Sequence, residues 1–271
     1  MNASPASPIG VFDSGVGGLS VLREIRRELP HESVLYLADS GNAPYGDRPA
    51  EYIQERSVAV TRALVERGAK AIVVACNTAT AAAVAVLRHG FNVPIVAIEP
   101  AVKPAAAATR TGVVGVMATS VTISSTKLLQ LVGQYPAPGG TEMLACPGLA
   151  EQVERGDLDS PATRALVEQY VRPLVGKGAD TIVLGCTHYA FLEPLIRDVA
   201  GPGVTVIDPA PAVARELRRR LTVASRLAPD DGVASEHYLT TGDVGQATRV
   251  MSQLLGRPVY VETLAGKRVR R

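Results

Sequence analysis

Short apolar runs rich in valine and isoleucine recur along this chain, and between them lie longer stretches whose apolar residues return every three or four positions. The runs "PIGVFD", "SVLYLAD", "AIVVAC", "PIVAIE", "GVVGVM", "TEMLAC", "TIVLGC" and "VTVID" predict strands, with "SEHYLTT" and "PVYVE" as late additions. Unbroken apolarity in so short a run suits a strand covered on both faces, and helices are what cover it. The expected fold class is therefore α/β with open, mainly parallel sheets. Helix punctuation agrees: the helix after Gly17 and Gly18 is expected to stop at Pro30, Asp47 to cap one running to Gly68, and Ser160 with Pro161 to open another that ends at glycines. The stretch "VAIEPAVKPAAAATRTG" reads as linker or as helix.

The pattern also repeats. "GAKAIVVACNTAT" at 68–80 returns as "GADTIVLGCTHYA" at 178–190, and "IGVFDSG" at 9–15 resembles "VGVMATS" at 114–120. Two resemblances at similar spacing predict two similar α/β domains related by pseudo-twofold symmetry. The first crossing falls near residue 100 and a return near Asp208 and Pro209, because "EHYLTT" and its helix are surplus to the second half. The domains expected are 1–99 plus 209–271, carrying Cys76, and 100–208, carrying Cys186. Ligands of open α/β sheets sit at the carboxyl ends of the strands, where both cysteines fall, so the two thiols would meet one small ligand from opposite sides at the interface.

Composition narrows the classes of function. A chain of 271 residues with 46% hydrophobic content supports a sizeable core, and a net charge of +2 predicts neither nucleic acid nor anionic membrane as partner. The basic ending "GKRVRR" reads as a solvated tail. The start "MNASPASP" lacks a cationic segment leading into an apolar one, and no apolar run approaches the length of a membrane span, so a cytoplasmic protein is expected. Three cysteines, none in a CxxC pair, predict reduced thiols rather than a disulfide framework.

Two thiols facing each other suit inversion at a carbon, where one base removes a proton from one face and an acid returns one to the other. Helix N-termini favour the thiolate by roughly 1 to 2 kcal/mol, and position the amide donors of Asn77, Thr78, Thr187 and His188 for a carboxylate. His188, two residues past Cys186, is placed to tune that thiol or to shuttle its proton. Asp13 and Ser14 end the first strand in "FDSGVGGLS", where Asp13 suits a substrate ammonium or the orientation of Cys76. Its glycines make a weak phosphate-loop candidate or simply a turn that lets helix and sheet pack. Tyr45 and Gly46 in "NAPYGD" lie in a loop on the same sheet edge.

Bland readings stand beside these. Cys146 lacks the duplicated context and reads as structural, and His31, His89 and His237 read as surface or loop residues. A zinc site drawn from Cys186, His188 and a distant cysteine lacks paired ligand spacing, so no metal is expected. No lysine sits in a setting suited to a Schiff base, so no cofactor is expected either.

Taken in order, "FDSGVGGLSV", "DSGNAPYG", "VVACNTAT" and "VLGCTHY" resemble the cofactor-independent glutamate racemase family, within the wider aspartate/glutamate racemase superfamily, over about residues 8–262. That resemblance implies that Cys76 and Cys186 are the bases, with Cys186 taking the proton of L-glutamate and Cys76 that of D-glutamate. It implies substrate contacts at Asp13, Ser14, Tyr45, Gly46, Asn77, Thr78, Thr119, Thr187 and His188, with Thr122 carried over more loosely. It also implies an acidic partner for His188 at Glu154 or Glu151 in "ACPGLAEQVERG", a homodimer, and a supply of D-glutamate for peptidoglycan. Two departures are visible: Ala118-Thr119 stands where the family has Gly-Thr, and "EQVE" where it has "PLVE". An aspartate or hydantoin racemase, and a two-lobed binding protein without catalysis, are the competing readings.

Overall fold

The computed structural model describes residues 4–230 and 233–264; the "GKRVRR" tail lies outside them. In chain order the elements are β1 Ile9–Asp13, α1 Leu19–Glu28, β2 Val34–Ala38, α2 Ala50–Glu66, β3 Ala71–Val74, α3 Asn77–Gly90 and β4 Ile95–Ala97. Then come α4 Val102–Ala108, β5 Val113–Ala118, α5 Ser120–Ile123, α6 Thr126–Gln134, β6 Gly140–Ala145, α7 Leu149–Arg155, α8 Pro161–Gly176 and β7 Thr181–Leu184. The chain continues through α9 Glu193–Ala200, β8 Thr205–Ile207, α10 Ala210–Val223, β9 Glu236–Thr240, α11 Val244–Leu255 and β10 Val261–Thr263.

The strands form two sheets, one ordered β10-β9-β2-β1-β3-β4 and the other β6-β5-β7-β8. Every pairing between them is parallel. The order β2-β1-β3-β4 of the first sheet is the order β6-β5-β7-β8 of the second, so the internal repeat is a repeat of topology. The late strands β9 and β10 extend the first sheet beyond β2, as the surplus in the sequence anticipates.

Successive residues of each strand feed opposite faces, which explains the unbroken apolar runs. Val11 and Val73 join the core shared with the second sheet, whereas Phe12, Ile72 and Val74 pack outward in a second cluster that also holds Ile53, Leu64 and Leu87 from α2 and α3. Absence of a side chain serves the same packing twice: a Cβ on Gly10 would stand 2.9 Å from Ile72, and one on Gly115 would stand 3.1 Å from Leu174 and 3.5 Å from Ile182.

Helix ends follow the punctuation with one correction. Ser160 caps α8 by accepting from the Thr163 amide at 3.2 Å, with Pro161 at the first helical position. Asp47 does not cap α2, which begins at Ala50 behind Pro49 and has no side-chain cap. Asp47 itself lies in a turn closed by the Arg48 amide on the Tyr45 carbonyl, and extended Pro49 separates it from the helix, so that Asp47 lines a cleft instead. The ambiguous alanine-rich stretch resolves into β4, α4 and a short loop. Among the described residues no helix is long and apolar enough to cross a membrane.

Candidate active site

β3 and β7 occupy the same place in their sheets, beside the central strands β1 and β5. Two residues past their ends stand Cys76 (φ −134°, ψ 119°) and Cys186 (φ −143°, ψ 134°), in nearly the same backbone conformation. Both side chains line one cleft of about 310 Å³, into which loops from both sheets project. Opposite halves of the repeat thus deliver one thiol each to a common space.

The surroundings of the two sulfurs differ. Cys76 is the N-cap of α3: its Sγ accepts from the Ala79 amide at 3.5 Å and lies 3.6 Å from the Ser14 hydroxyl. Burial pushes this thiol well above the ordinary value, the Asp13 carboxylate pushes the same way, and the two hydrogen bonds do not offset them. Cys186 caps no helix; a 3-10 segment, Thr187–Leu192, follows it where the sequence suggested an ordinary helical turn. Its Sγ lies 3.7 Å from His188 Nδ1 instead.

His188 is the link to the acidic residue. Its Nε2 stands 2.6 Å from Glu154 Oε1, and Glu154 rather than Glu151 makes this contact, although both line the cleft. Burial alone would lower the ring's pKa, yet the contacts with Cys186 and Glu154 outweigh it and hold His188 well above the usual imidazole value. Each ring nitrogen thus faces one group, Nδ1 the sulfur and Nε2 the carboxylate, and both contacts favour the protonated ring. Glu154 Oε1 also accepts from the Val16 amide at 2.7 Å.

This geometry explains the glycines of "DSGVGG". A Cβ on Gly15 would sit 1.7 Å from Glu154 Oε1, and one on Gly17 would sit 2.3 Å from His188 Nδ1. The turn thus does more than let helix and sheet pack, as Gly18 does against Ala75; it makes room for the His188–Glu154 pair.

Asp13 is placed differently from the expectation of a direct contact. It is fully buried beneath the cleft, with Oδ1 accepting from the Ser14 amide at 2.6 Å and hydroxyl at 3.2 Å, and Oδ2 accepting from Thr187 Oγ1 at 3.1 Å. One carboxylate thus ties a residue beside Cys76 to the residue after Cys186. Burial raises its pKa, while the positive charge of His188 pulls the other way.

The remaining predicted residues reach the cleft wall. Ser14, Tyr45, Gly46 and Asn77 line it, and Asn77 has both side-chain polar atoms buried without a protein partner. Thr78, Thr119 and Thr187 line it as well, and the Thr78 and Thr119 hydroxyls meet at 2.9 Å. Thr122 stands behind them, its Oγ1 3.0 Å from that of Thr119. His31, His89 and His237 are exposed, whereas Cys146, read as structural, also borders the cleft. Sequence reasoning missed Asp243, Gln246, Ala247 and Val250, which bring α11 to the mouth. The only signal was their place after a late strand of the first sheet. Among the described residues no three His, Cys, Asp or Glu side chains cluster as metal ligands.

The description Asp/Glu/Hydantoin racemase matches residues 9–217 of this chain. The chain belongs to this family. Among its relatives, the glutamate racemase of Methylococcus capsulatus is 56% identical over 247 residues, covering 91% of each chain. The solved glutamate racemase RacE1 of Bacillus anthracis superposes with a TM-score of 0.86 at 36% identity, covering 95% of this chain and 97% of its own. The Escherichia coli glutamate racemase, solved with L-glutamate and the activator UDP-MurNAc-Ala, gives 0.84 at 33% identity over 96% and 98%.

Proposed function

We propose that this protein interconverts L- and D-glutamate by a two-base mechanism, without cofactor, and so supplies D-glutamate for peptidoglycan in the cytoplasm. The observation that carries the reading is the delivery of Cys76 and Cys186, from equivalent positions of a repeated fold, into one cleft. Identity above 50% over nearly the whole length to proteins named glutamate racemase supports glutamate over other members of the family. The lobes are read as 1–99 plus 209–271 and 100–208.

With L-glutamate bound, the Cys186 thiolate removes the α-proton while the Cys76 thiol gives its own proton to the opposite face. Cys76 then holds the negative charge, and D-glutamate runs the sequence backwards. Amide N–H groups at the start of α3, with the Thr78 hydroxyl and the unpartnered Asn77 amide, are the donors available to a substrate carboxylate. Fixed donors beside a carbon that becomes anionic lower the barrier more than they stabilise the ground state. Ser14, Thr119, Tyr45 and Gly46 complete the substrate's surroundings, with Asp13 beneath them holding Ser14 and Thr187. Cys76, Cys186, His188 and Glu154 all come from one chain, and a homodimer is the assembly that family likeness leads us to expect.

Turnover of L-glutamate and of L-aspartate by the purified protein, each followed by circular dichroism, tests the substrate. Glutamate should lose its signal with kcat/KM at least about a hundredfold above aspartate, since one missing methylene displaces the distal carboxylate from its donors. Equal or reversed preference would favour another racemase of the same family, and no turnover of any amino acid would favour a binding protein.

A further inference from the structure

We propose that Asp39, held by Arg56, is a positioning residue that sets the wall of the cleft and thereby governs substrate affinity rather than proton transfer. Asp39 follows the end of β2 and is wholly buried, yet it does not line the cleft. Its carboxylate gathers five hydrogen bonds from separate parts of the chain. Oδ1 accepts from Asn42 Nδ2 at 3.0 Å, from an Arg56 terminal nitrogen at 2.8 Å and from Thr241 Oγ1 at 2.8 Å. Oδ2 accepts from the Tyr45 hydroxyl at 2.5 Å and from Arg56 Nε at 3.0 Å.

The donors explain what is being held. Tyr45 belongs to the loop whose Ala43, Pro44, Tyr45 and Gly46 form one wall of the cleft, and Gly46 stands so near Thr119 that a Cβ there would lie 3.2 Å from it. Thr241 precedes Gly242 and Asp243, which line the same cleft from the end of β9. The two loops are fastened to each other as well, through Gly41 N to Thr241 Oγ1 at 3.0 Å. Arg56 reaches across from the middle of α2, a rigid element, and engages both carboxylate oxygens in a planar fork. A buried carboxylate with such a partner is locked in place, whereas one that loses it is left as an uncompensated charge. Tyr45 shares the outward cluster with Cys76, but neither Asp39 nor Arg56 hydrogen-bonds a sulfur, and the His188–Glu154 pair uses other elements entirely.

Glutamate as substrate rests on the function proposed above; the role of Asp39 does not. The test measures KM and kcat for L-glutamate, the isotope effect of α-deuteration, and thermal stability in Asp39→Asn, Arg56→Met and Arg56→Lys. Loss of uniform binding raises KM and leaves kcat in place, and displacements near 1 Å are enough for large effects. Asp39→Asn and Arg56→Met are expected to raise KM about tenfold or more, to change kcat less than about threefold and to leave the isotope effect as in the wild type. Arg56→Lys, which keeps charge but not the fork, should recover part of the loss. If Asp39→Asn does not fold, Thr241→Val, which removes one of the five bonds, should show a smaller rise in KM. An unchanged KM in folded Asp39→Asn or Thr241→Val, or a fall in kcat with an altered isotope effect, overturns the proposal. A wild type that ignores L-glutamate counts against the substrate reading instead, and the same ratios are then measured with the amino acid it does racemise.

Discussion

Cys76 and Cys186 share a backbone conformation and a place in a repeated topology, yet their neighbours carry opposite charge. Beside Cys76 lie the buried Asp13 carboxylate and a full turn of helix; beside Cys186 lies a histidine whose pKa the contacts with Cys186 and Glu154 hold well above the usual imidazole value. The duplication of the fold places two sulfurs, and the departures from duplication give them different surroundings. Burial with Asp13 keeps Cys76 a neutral thiol, ready to donate. At Cys186 the neighbour is instead His188, whose raised pKa favours a positive ring 3.7 Å from the sulfur. A symmetric reaction is thus served by two sulfurs in asymmetric surroundings.

The largest break in this comparison comes from removing either sulfur. Cys76→Ala and Cys186→Ala should each lose racemisation by about 10³-fold or more, the upper range for a general acid or base. Each should keep a one-sided reaction: Cys76→Ala exchanges the α-hydrogen of L-glutamate with deuterated solvent without inverting it, and Cys186→Ala does so with D-glutamate. NMR at Cα separates exchange from inversion. Either alanine variant racemising near the wild-type rate would remove its sulfur from the mechanism.

A smaller effect tests the charge difference itself. Glu154→Gln keeps an acceptor for His188 but removes the negative charge, so the ring's pKa falls and activity should decline at lower pH than in wild type, with a loss of about tenfold at neutral pH. The sign for stability follows from the same shift. A folded-state pKa raised above 6.5 stabilises the protein fully below that value, and the contribution is lost as pH rises through the folded value. The melting-temperature gap between wild type and Glu154→Gln should therefore be widest in mild acid and close in base. Because enantiomers are equal in free energy, kcat/KM must stay equal in the two directions for every variant, and asymmetry is to be sought in kcat and KM separately.

The smallest effect belongs to the third thiol. Cys146 borders the cleft, but it follows β6, away from the duplicated position, and its Sγ contacts the Leu144 carbonyl at 3.3 Å. Cys146→Ala should change turnover less than about threefold, since deleting one buried sulfur alters packing rather than chemistry. A larger fall in turnover would mean that position in the repeat does not discriminate among the cysteines.

How much of this was legible beforehand follows from what kind of interaction each part depends on. The strands were readable because burial on both faces makes them apolar without interruption, and α8 because Ser160 and Pro161 mark its start. The thiol pair was readable because a repeated segment puts equal residues at equal places. Asp47 misled because a good capping residue stood three positions before the real start, with Pro49 between. Choosing Glu154 over Glu151 needed the tertiary approach of α7 to the turn at Gly15, which no local pattern encodes. The part played by Gln246 and Val250 was hidden for the same reason: α11 looks like any amphipathic helix until the second sheet's α7 lies across from it.

The central claim, one sulfur for each face of the carbon, is tested most directly by initial-rate conversion of L-glutamate in deuterated water, with both enantiomers separated and their Cα hydrogen read by mass spectrometry. Two bases predict that the first D-glutamate formed carries deuterium while the remaining L-glutamate keeps its protium. Transfer of the substrate's own protium into the first D-glutamate would mean that a single base serves both faces.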